Sequence, residues 1–286
     1  MAAPDLTVGE LLPVVLDDLA GRIAERTPAA LADAPDGVHQ LRTEVRRLRN
    51  VLAAFGGLLD PGPVGAVRAQ LSSYGDRLGR ARDLEVRAAD AAAAAAAVGL
   101  GAGPSARLVG PLAEAHRTAH AKLVAWVGGH EEIAGLSELG AVTVVGGGRP
   151  ARVVAQEVLL AQADRALARE ADYLSDPDAG HALRKAARRL RHVADAVTKE
   201  PGDVLGEPAT ALGKAGKGIQ SLLGDQRDAL LLAECVRGLL PDAGPDAPAY
   251  LEVVAHAEQR AAAALGDVPG ALAELERRRA VMDAGP

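Results

Sequence analysis

Aromatic side chains are nearly missing from this chain, which has one Phe, three Tyr and one Trp among 286 residues. Platforms for stacking bases are therefore scarce, which counts against single-stranded nucleic acid as a ligand. Cysteine is almost absent as well. Cys235 stands alone, so no intrachain disulfide can form and the fold does not depend on an oxidising compartment. That residue reads as a small apolar side chain rather than a reactive thiol. No apolar run reaches the roughly 20 residues needed to span a bilayer. The alanine tract is broken by Gly99, Gly101, Gly103 and Pro104. The opening MAAPDLTVGELLP has neither the basic nor the apolar region of a secretory signal. The expectation is a soluble, cytoplasmic protein without a membrane partner.

What is plentiful is alanine, within an apolar share of 49%. Alanine has the best helix propensity and lets helices approach closely. The length suits one large domain or two of ordinary size. Net charge is −6, which by itself argues against an anionic ligand. The distribution reverses that argument. Residues 39–49 carry four arginines against one glutamate, a net of +3. Residues 181–192 carry four arginines and one lysine with no acid, a net of +5. The rest of the chain then holds −14, so the positive field is concentrated in two short segments.

Those two segments are copies. Pro35, Asp36, His39, Leu41, Arg42, Arg46, Arg47, Leu48, Arg49 and Val51 recur 142 residues later, from Pro177 and Asp178 through His181 to Val193. A second match follows in the same order: Leu78-Gly79-x-x-Arg82-Asp83 recurs as Leu223-Gly224-x-x-Arg227-Asp228, 145 residues on. Ordered matches at nearly one spacing mark an internal duplication. The glycine run before Pro150 places the seam near residues 141–150, giving halves of 1–143 and 144–286. Helical patterning falls at 8–26, 36–58, 64–98 and 106–128, then at 150–174, 177–198, 208–240 and 246–265, with a last stretch at 268–282. Pro13 and Pro111 are expected at helix starts or kinks, and Pro35 and Pro177 in first helical turns. The predicted fold is all-α: two four-helix bundles related by pseudo-two-fold symmetry, with an extra helix at the end.

On a helix, His39, Arg42, Arg46 and Arg49 fall within roughly 80° of one another, opposite Leu41, Val45, Leu48, Leu52 and Phe55. The second copy repeats this with His181, Arg184, Arg188 and Arg191 opposite Leu183, Leu190 and Val193, and His192 joins its basic face. Arg47, Lys185 and Arg189 accompany the rows, the two arginines toward the flank. Like charges at this spacing repel by a few tenths of a kcal/mol per pair, so the row gains nothing unless an anion lies along it. Arginine's planar fork suits phosphate oxygens. The histidines stand near helix starts, where free N–H groups favour an anion, though each can equally be a structural hydrogen-bonding group. Arg82 and Arg227, with Lys214 and Lys217, extend the candidate polyanion surface, and Ser72 occupies the place that matches Lys217. A basic helix face is more often plain solvated surface, and the duplication of the same pattern is what favours a ligand site here.

The stretches Val38-His39-Gln40-Leu41-Arg42, Arg46-Arg47-Leu48-Arg49 and Leu78 to Val86 resemble first-half signatures of the CHAD family, the conserved histidine α-helical domain. His181-Ala182-Leu183-Arg184-Lys185, Arg188-Arg189-Leu190-Arg191 and Leu222 to Asp228 are similar to its second-half signatures. The resemblance covers nearly the whole chain. It implies paired helical bundles whose basic surface or pore binds inorganic polyphosphate, and association with polyphosphate granules. Some members are fused to a triphosphatase domain; none is expected here, and neither catalysis nor a cofactor. Two departures stand out. Ser72 replaces a basic residue common in the family, and Arg227-Asp228 replaces its frequent Asn-Asp.

Three rival functions fit the residues less well. A histidine phosphotransfer protein needs an exposed histidine beside small residues, but Thr43 and Lys185 stand where glycine belongs. A nucleic-acid backbone binder would find phosphate contacts but no aromatics interleaved on the basic face. His116 and His120, spaced i, i+4, lack a carboxylate to complete a metal set. No nucleophile–base arrangement and no phosphate-loop lysine is present.

Overall fold

A computed structural model describes residues 6–129, 136–174 and 177–284, apart from the side chains at 177 and 178. The duplicated Pro177 and Asp178 side chains lie outside that description. Nine α-helices are present among the described residues: α1 Val8–Leu31, α2 Gly37–Ala54, α3 Pro61–Ala97, α4 Ala102–Gly128, α5 Ala151–Leu167, α6 Pro177–Thr198, α7 Glu207–Arg237, α8 Ala247–Gly266 and α9 Val268–Ala284. No strand occurs among them; two isolated bridges pair Thr7 with Pro150 and Leu59 with Val144. The all-α class and the duplication expected from the sequence are the architecture observed.

Several ends differ from the sequence expectation. α1 continues past residue 26 to Leu31, through Pro28 as well as Pro13. Proline inside a helix forfeits a hydrogen bond. Here the fully buried Ala30 and a Thr27 hydroxyl donating to the Ile23 carbonyl at 2.7 Å hold the last turn. Pro111 likewise lies inside α4. α5 stops at Leu167 instead of running to 174. Pro177 opens α6 as expected. Pro35 does not join the first turn of α2, because Asp33 and Asp36 take left-handed backbone (φ 50° and 60°) and turn the chain sharply before Gly37. Aspartate tolerates that region better than most residues. At Gly37 a Cβ would stand 2.7 Å from the Ala29 carbonyl oxygen, so α2 starts hard against the end of α1.

The chain forms two compact units. The first comprises Met1–Asp76, His130–Gln220 and Pro269–Pro286, and the second Arg77–Gly129 and Ser221–Val268. Each unit contains helices from both copies of the repeat, so the duplication and the compact units divide the chain differently. In the first unit α1 packs on α2 and α5 on α6, the same hairpin made twice. The copies then meet like with like, α2 on α6 and α1 on α5. That is the self-complementary contact a two-fold relation requires. Its core is built at helical spacing from residues such as Leu12, Leu16 and Leu19 of α1, Leu41, Val45 and Leu48 of α2, and Leu183, Ala187 and Leu190 of α6. Gly213 and Gly216 bring α7 close against α6; a Cβ on Gly213 would come 2.5 Å from that of Ala194.

The second unit packs the carboxyl-terminal parts of α3 and α7 with α4 and α8. Its core is alanine-rich, with Ala91, Ala94, Leu108, Leu232, Val236 and Tyr250 among its members and Cys235 packed beside it. Tyr250 donates its hydroxyl proton to the Pro104 carbonyl at 3.0 Å, which satisfies the one polar atom this ring buries. Among the described residues no helix is long and apolar enough to cross a membrane.

Candidate anion-binding site

The first unit collects the two arginine rows in one place. Leu41, Val45, Leu48 and Leu52 anchor α2 in the core, and Leu183, Leu190, Val193 and Val197 anchor α6. Their opposite faces carry the arginines, and α2 packs directly on α6. Asn50 and His192, which occupy the same position of the repeat, meet across this contact with Nδ2 and Nδ1 2.9 Å apart. Equivalent positions touch each other only close to a two-fold axis, so the rows run past that axis side by side.

Arg188 lies at the centre of the result. Burial, and then the charges of Arg184, Arg42, Arg49 and Arg189, press its guanidinium pKa down from 12.5 to about 10. Its Nε is buried without a hydrogen-bond partner. No carboxylate relieves it among the described residues. A buried cation surrounded by cations from both copies is costly, and the arrangement is the reverse of a structural ion pair.

The carboxyl-terminal ends of the rows are held by residues that the motifs did not single out. Arg49 donates through Nη2 to the Ser72 hydroxyl at 3.1 Å. Its Nη1 passes over Gly75, where a Cβ would approach to 2.9 Å. At the matching place in the second copy, Arg191 Nη1 donates to Gln220 Oε1 at 3.4 Å. Gly75 and Gln220 are 145 residues apart, the spacing of the second motif. Ser72, a gap in the basic surface by sequence, thus positions a cation instead of supplying one.

Two expected site residues are placed elsewhere. His192, expected on the basic face, is only 2% exposed; it lies between α2 and α6 against Asn50, because the axis contact excludes solvent there. Arg47, expected to accompany the row, has a side chain 13% exposed and is bound by Glu44 at 2.8 Å and Asp195 at 3.6 Å. Glu44 sits one turn before it on the same helix, and this pairing takes Arg47 out of the free positive charge.

The remaining expected residues divide by location. His39 and His181 are exposed in the opening turns of α2 and α6, and Lys185 is exposed on α6. Arg42, Arg46 and Arg184 are half-buried. Arg191 also faces Asp195 at 3.9 Å, a carboxylate it shares with Lys199. Arg189 is shifted downward by burial, then by the charges of Arg165 and Arg68, two arginines on α5 and α3. Arg68 does not recur at the repeat spacing, so the duplication gave no signal for it. Lys214 and Lys217 are exposed on the first turns of α7, Lys214 with Glu207 at 3.7 Å. Arg82 and Arg227 belong to the second unit, where Arg82 pairs with Glu85 at 2.9 Å and Arg227 is exposed.

Metal chemistry finds little to work with. Among the described residues no group of three or more His, Cys, Asp or Glu could hold an ion. His116 instead donates from Nδ1 to the Ala81 carbonyl at 3.1 Å, with the His120 ring 6.2 Å away.

The buried histidine predicts a pH dependence of stability. Burial, followed by the charges of Arg47, Arg191, Arg188 and Arg46, holds His192 well below its ordinary 6.5. Unfolding frees it to take up a proton, so its contribution is fully present above pH 6.5 and is lost as pH falls below that value. The loss approaches about 1.4 kcal/mol per pH unit. Urea midpoints at pH 7.5 and 5.5 are expected to separate by roughly 1 kcal/mol more in the wild type than in His192→Asn. An equal separation in both proteins would remove His192 from the acid sensitivity.

Comparison with known proteins agrees with this architecture. The family model described as CHAD domain matches residues 15–237 and again 157–284. Among solved structures, PptA from Streptomyces chartreusis aligns with a TM-score of 0.69 at 20% identity, over 93% of this chain and 99% of that one. The CHAD domain from the plant Ricinus communis aligns at 0.68 and 21% identity, over 96% of this chain and 95% of that one. No curated protein matches the chain.

Proposed function

Since this chain belongs to the CHAD domain family, we propose that it binds inorganic polyphosphate along the paired arginine rows of α2 and α6 and does not turn it over. One observation carries the reading. Arg188 is buried among Arg184, Arg42, Arg49 and Arg189, with its Nε unsatisfied and its pKa pressed to about 10. A cluster that repels itself in the free protein is stabilised by a ligand dense in negative charge. A flexible phosphate chain offers that density, and it has no need of the aromatic platforms that bases require.

Binding in this reading is electrostatic capture. Arginines neutralise phosphates and release counterions, so affinity falls steeply with salt. The second row engages at high effective concentration once the first is filled, which favours long chains over pyrophosphate or ATP. His39 and His181 stand exposed beside the helix starts, where free N–H groups also favour an anion. Nothing in this mechanism calls for a cofactor or a general base. The same two rows would hold the protein on a polyphosphate granule.

Titration of long-chain polyphosphate into the full chain at 50 and 200 mM salt tests the proposal. With six phosphates neutralised, affinity is expected to fall by about 300-fold or more between the two salts. Pyrophosphate should bind at least a hundredfold more weakly than the long chain. Absence of binding at the lower salt would sink the reading, and acid-labile phosphate on His39 or His181 would direct attention to phosphotransfer.

A further inference from the structure

The second compact unit holds a cleft of about 900 Å³ between α3 and α4. Its size falls in the range of small-molecule sites. Arg77, Arg80, Leu84 and Arg87 line it from α3, at positions i, i+3, i+7 and i+10 of one helix face. Lys122 faces them from α4, and Leu123, Ala115 and Ala119 complete an apolar wall.

The charges of this cleft are unevenly answered. Among the described residues the side chains of Arg80, Arg87 and Lys122 make no ion pair or hydrogen bond. Two acids share the lining: Asp83, between Arg80 and Arg87 on α3, and Glu114, which is bound by Arg117. Arg77 holds its guanidinium carbon 4.8 Å from the centre of the Trp126 ring, and its Nε–H is buried without an acceptor. A guanidinium fixed over one ring can stack a planar group on its other face. Cations at the rim and an apolar wall behind them describe an amphiphilic anion. An inorganic phosphate chain has nothing to place against Leu84, Ala115 and Ala119.

We propose that the α3/α4 cleft is a second binding site, for a nucleoside triphosphate: phosphates on Arg80, Arg87 and Lys122, and base against Arg77 and the apolar wall. The site lies wholly within the second unit and is independent of the polyphosphate reading. A base laid flat on this wall removes its faces from water, and the rim arginines offer paired donors to the phosphate oxygens.

Equilibrium dialysis of labelled ATP against the full chain tests this, with helicity of each variant checked by circular dichroism. ATP binding is expected to weaken at least tenfold in Arg80→Glu/Arg87→Glu, and also in Lys122→Glu, whose exposed position keeps folding out of the question. It should survive in Arg46→Glu/Arg188→Glu. Inorganic tripolyphosphate should compete at least tenfold less well than ADP. The proposal fails if the wild type binds no ATP at millimolar nucleotide. It fails equally if Arg46→Glu/Arg188→Glu is the variant that abolishes binding, which would put the nucleotide on the arginine rows. Tripolyphosphate competing as well as ADP would overturn the base-recognition half and leave a plain phosphate site.

Discussion

Arg46→Glu/Arg188→Glu is expected to lower the affinity for long-chain polyphosphate about a thousandfold at low salt, with helical content unchanged. The two positions are equivalents, 142 residues apart, and each sits mid-row in its copy. A charge pair 4 Å apart near a protein surface is worth about 4 kcal/mol before desolvation. Each reversal removes one attraction and adds one repulsion, so even a fraction of that figure at both sites reaches the roughly 4 kcal/mol of a thousandfold loss. The salt dependence should also flatten, by about 1.4 in the log–log slope for two lost phosphate contacts on a single-stranded chain. The folded state should tolerate the change. A carboxylate introduced at position 188 would stand among Arg184, Arg42, Arg49 and Arg189 and find partners where the native guanidinium finds none. Isothermal titration at 50 mM salt reads the effect. Retained affinity in a folded double variant would show that the ligand lies elsewhere.

The rows themselves were legible, and the reason is periodic. Arginines at i, i+4 and i+7 opposite leucines define a helix face whatever the tertiary context, and the duplication repeats that face in the second copy. Their merger into one site was not legible. Periodicity says which side of α2 is buried but not that α6 is what buries part of it, so Arg188 among Arg42 and Arg49 is a tertiary fact. The same limit explains His192. Helical geometry put it on the basic side, while the axis contact with Asn50 put it out of reach of solvent. Arg47 shows a milder case, since Glu44 three residues earlier is visible in the sequence and Asp195 from the other copy is not.

The compact units were hidden for a different reason. Sequence breaks are read from proline and glycine, yet the division between units falls inside α3 between Asp76 and Arg77, and inside α7 between Gln220 and Ser221. Helices of 37 and 31 residues run straight through both points, with Gly75 and Gly218 inside them and ending neither. The duplication seam at 141–150 is by contrast rich in glycine. The expected seam thus rests on sequence punctuation, whereas packing alone marks the units.

Neutralising Arg188 separates the stability of the free protein from its affinity. Arg188→Met keeps an unbranched side chain of similar reach and removes the charge. Depression of the guanidinium from 12.5 to about 10 corresponds to a cost of about 3 kcal/mol borne by the charged form at neutral pH. Imperfect repacking returns part of it, so the free variant is expected to be more stable than the wild type by roughly 1–3 kcal/mol in urea. Polyphosphate should narrow the gap. At a hundred times its dissociation constant it stabilises the wild type by about 2.7 kcal/mol. The variant, with about tenfold weaker binding from one lost contact, gains about half as much at the same concentration. The two melting curves should then converge or cross as ligand is added. A variant that is less stable when free would mean that Arg188 serves the fold, and the cluster would lose its standing as a site kept for an anion. A buried guanidinium pressed by the charges of arginines from both copies is the physical feature that distinguishes this surface from an ordinary basic helix.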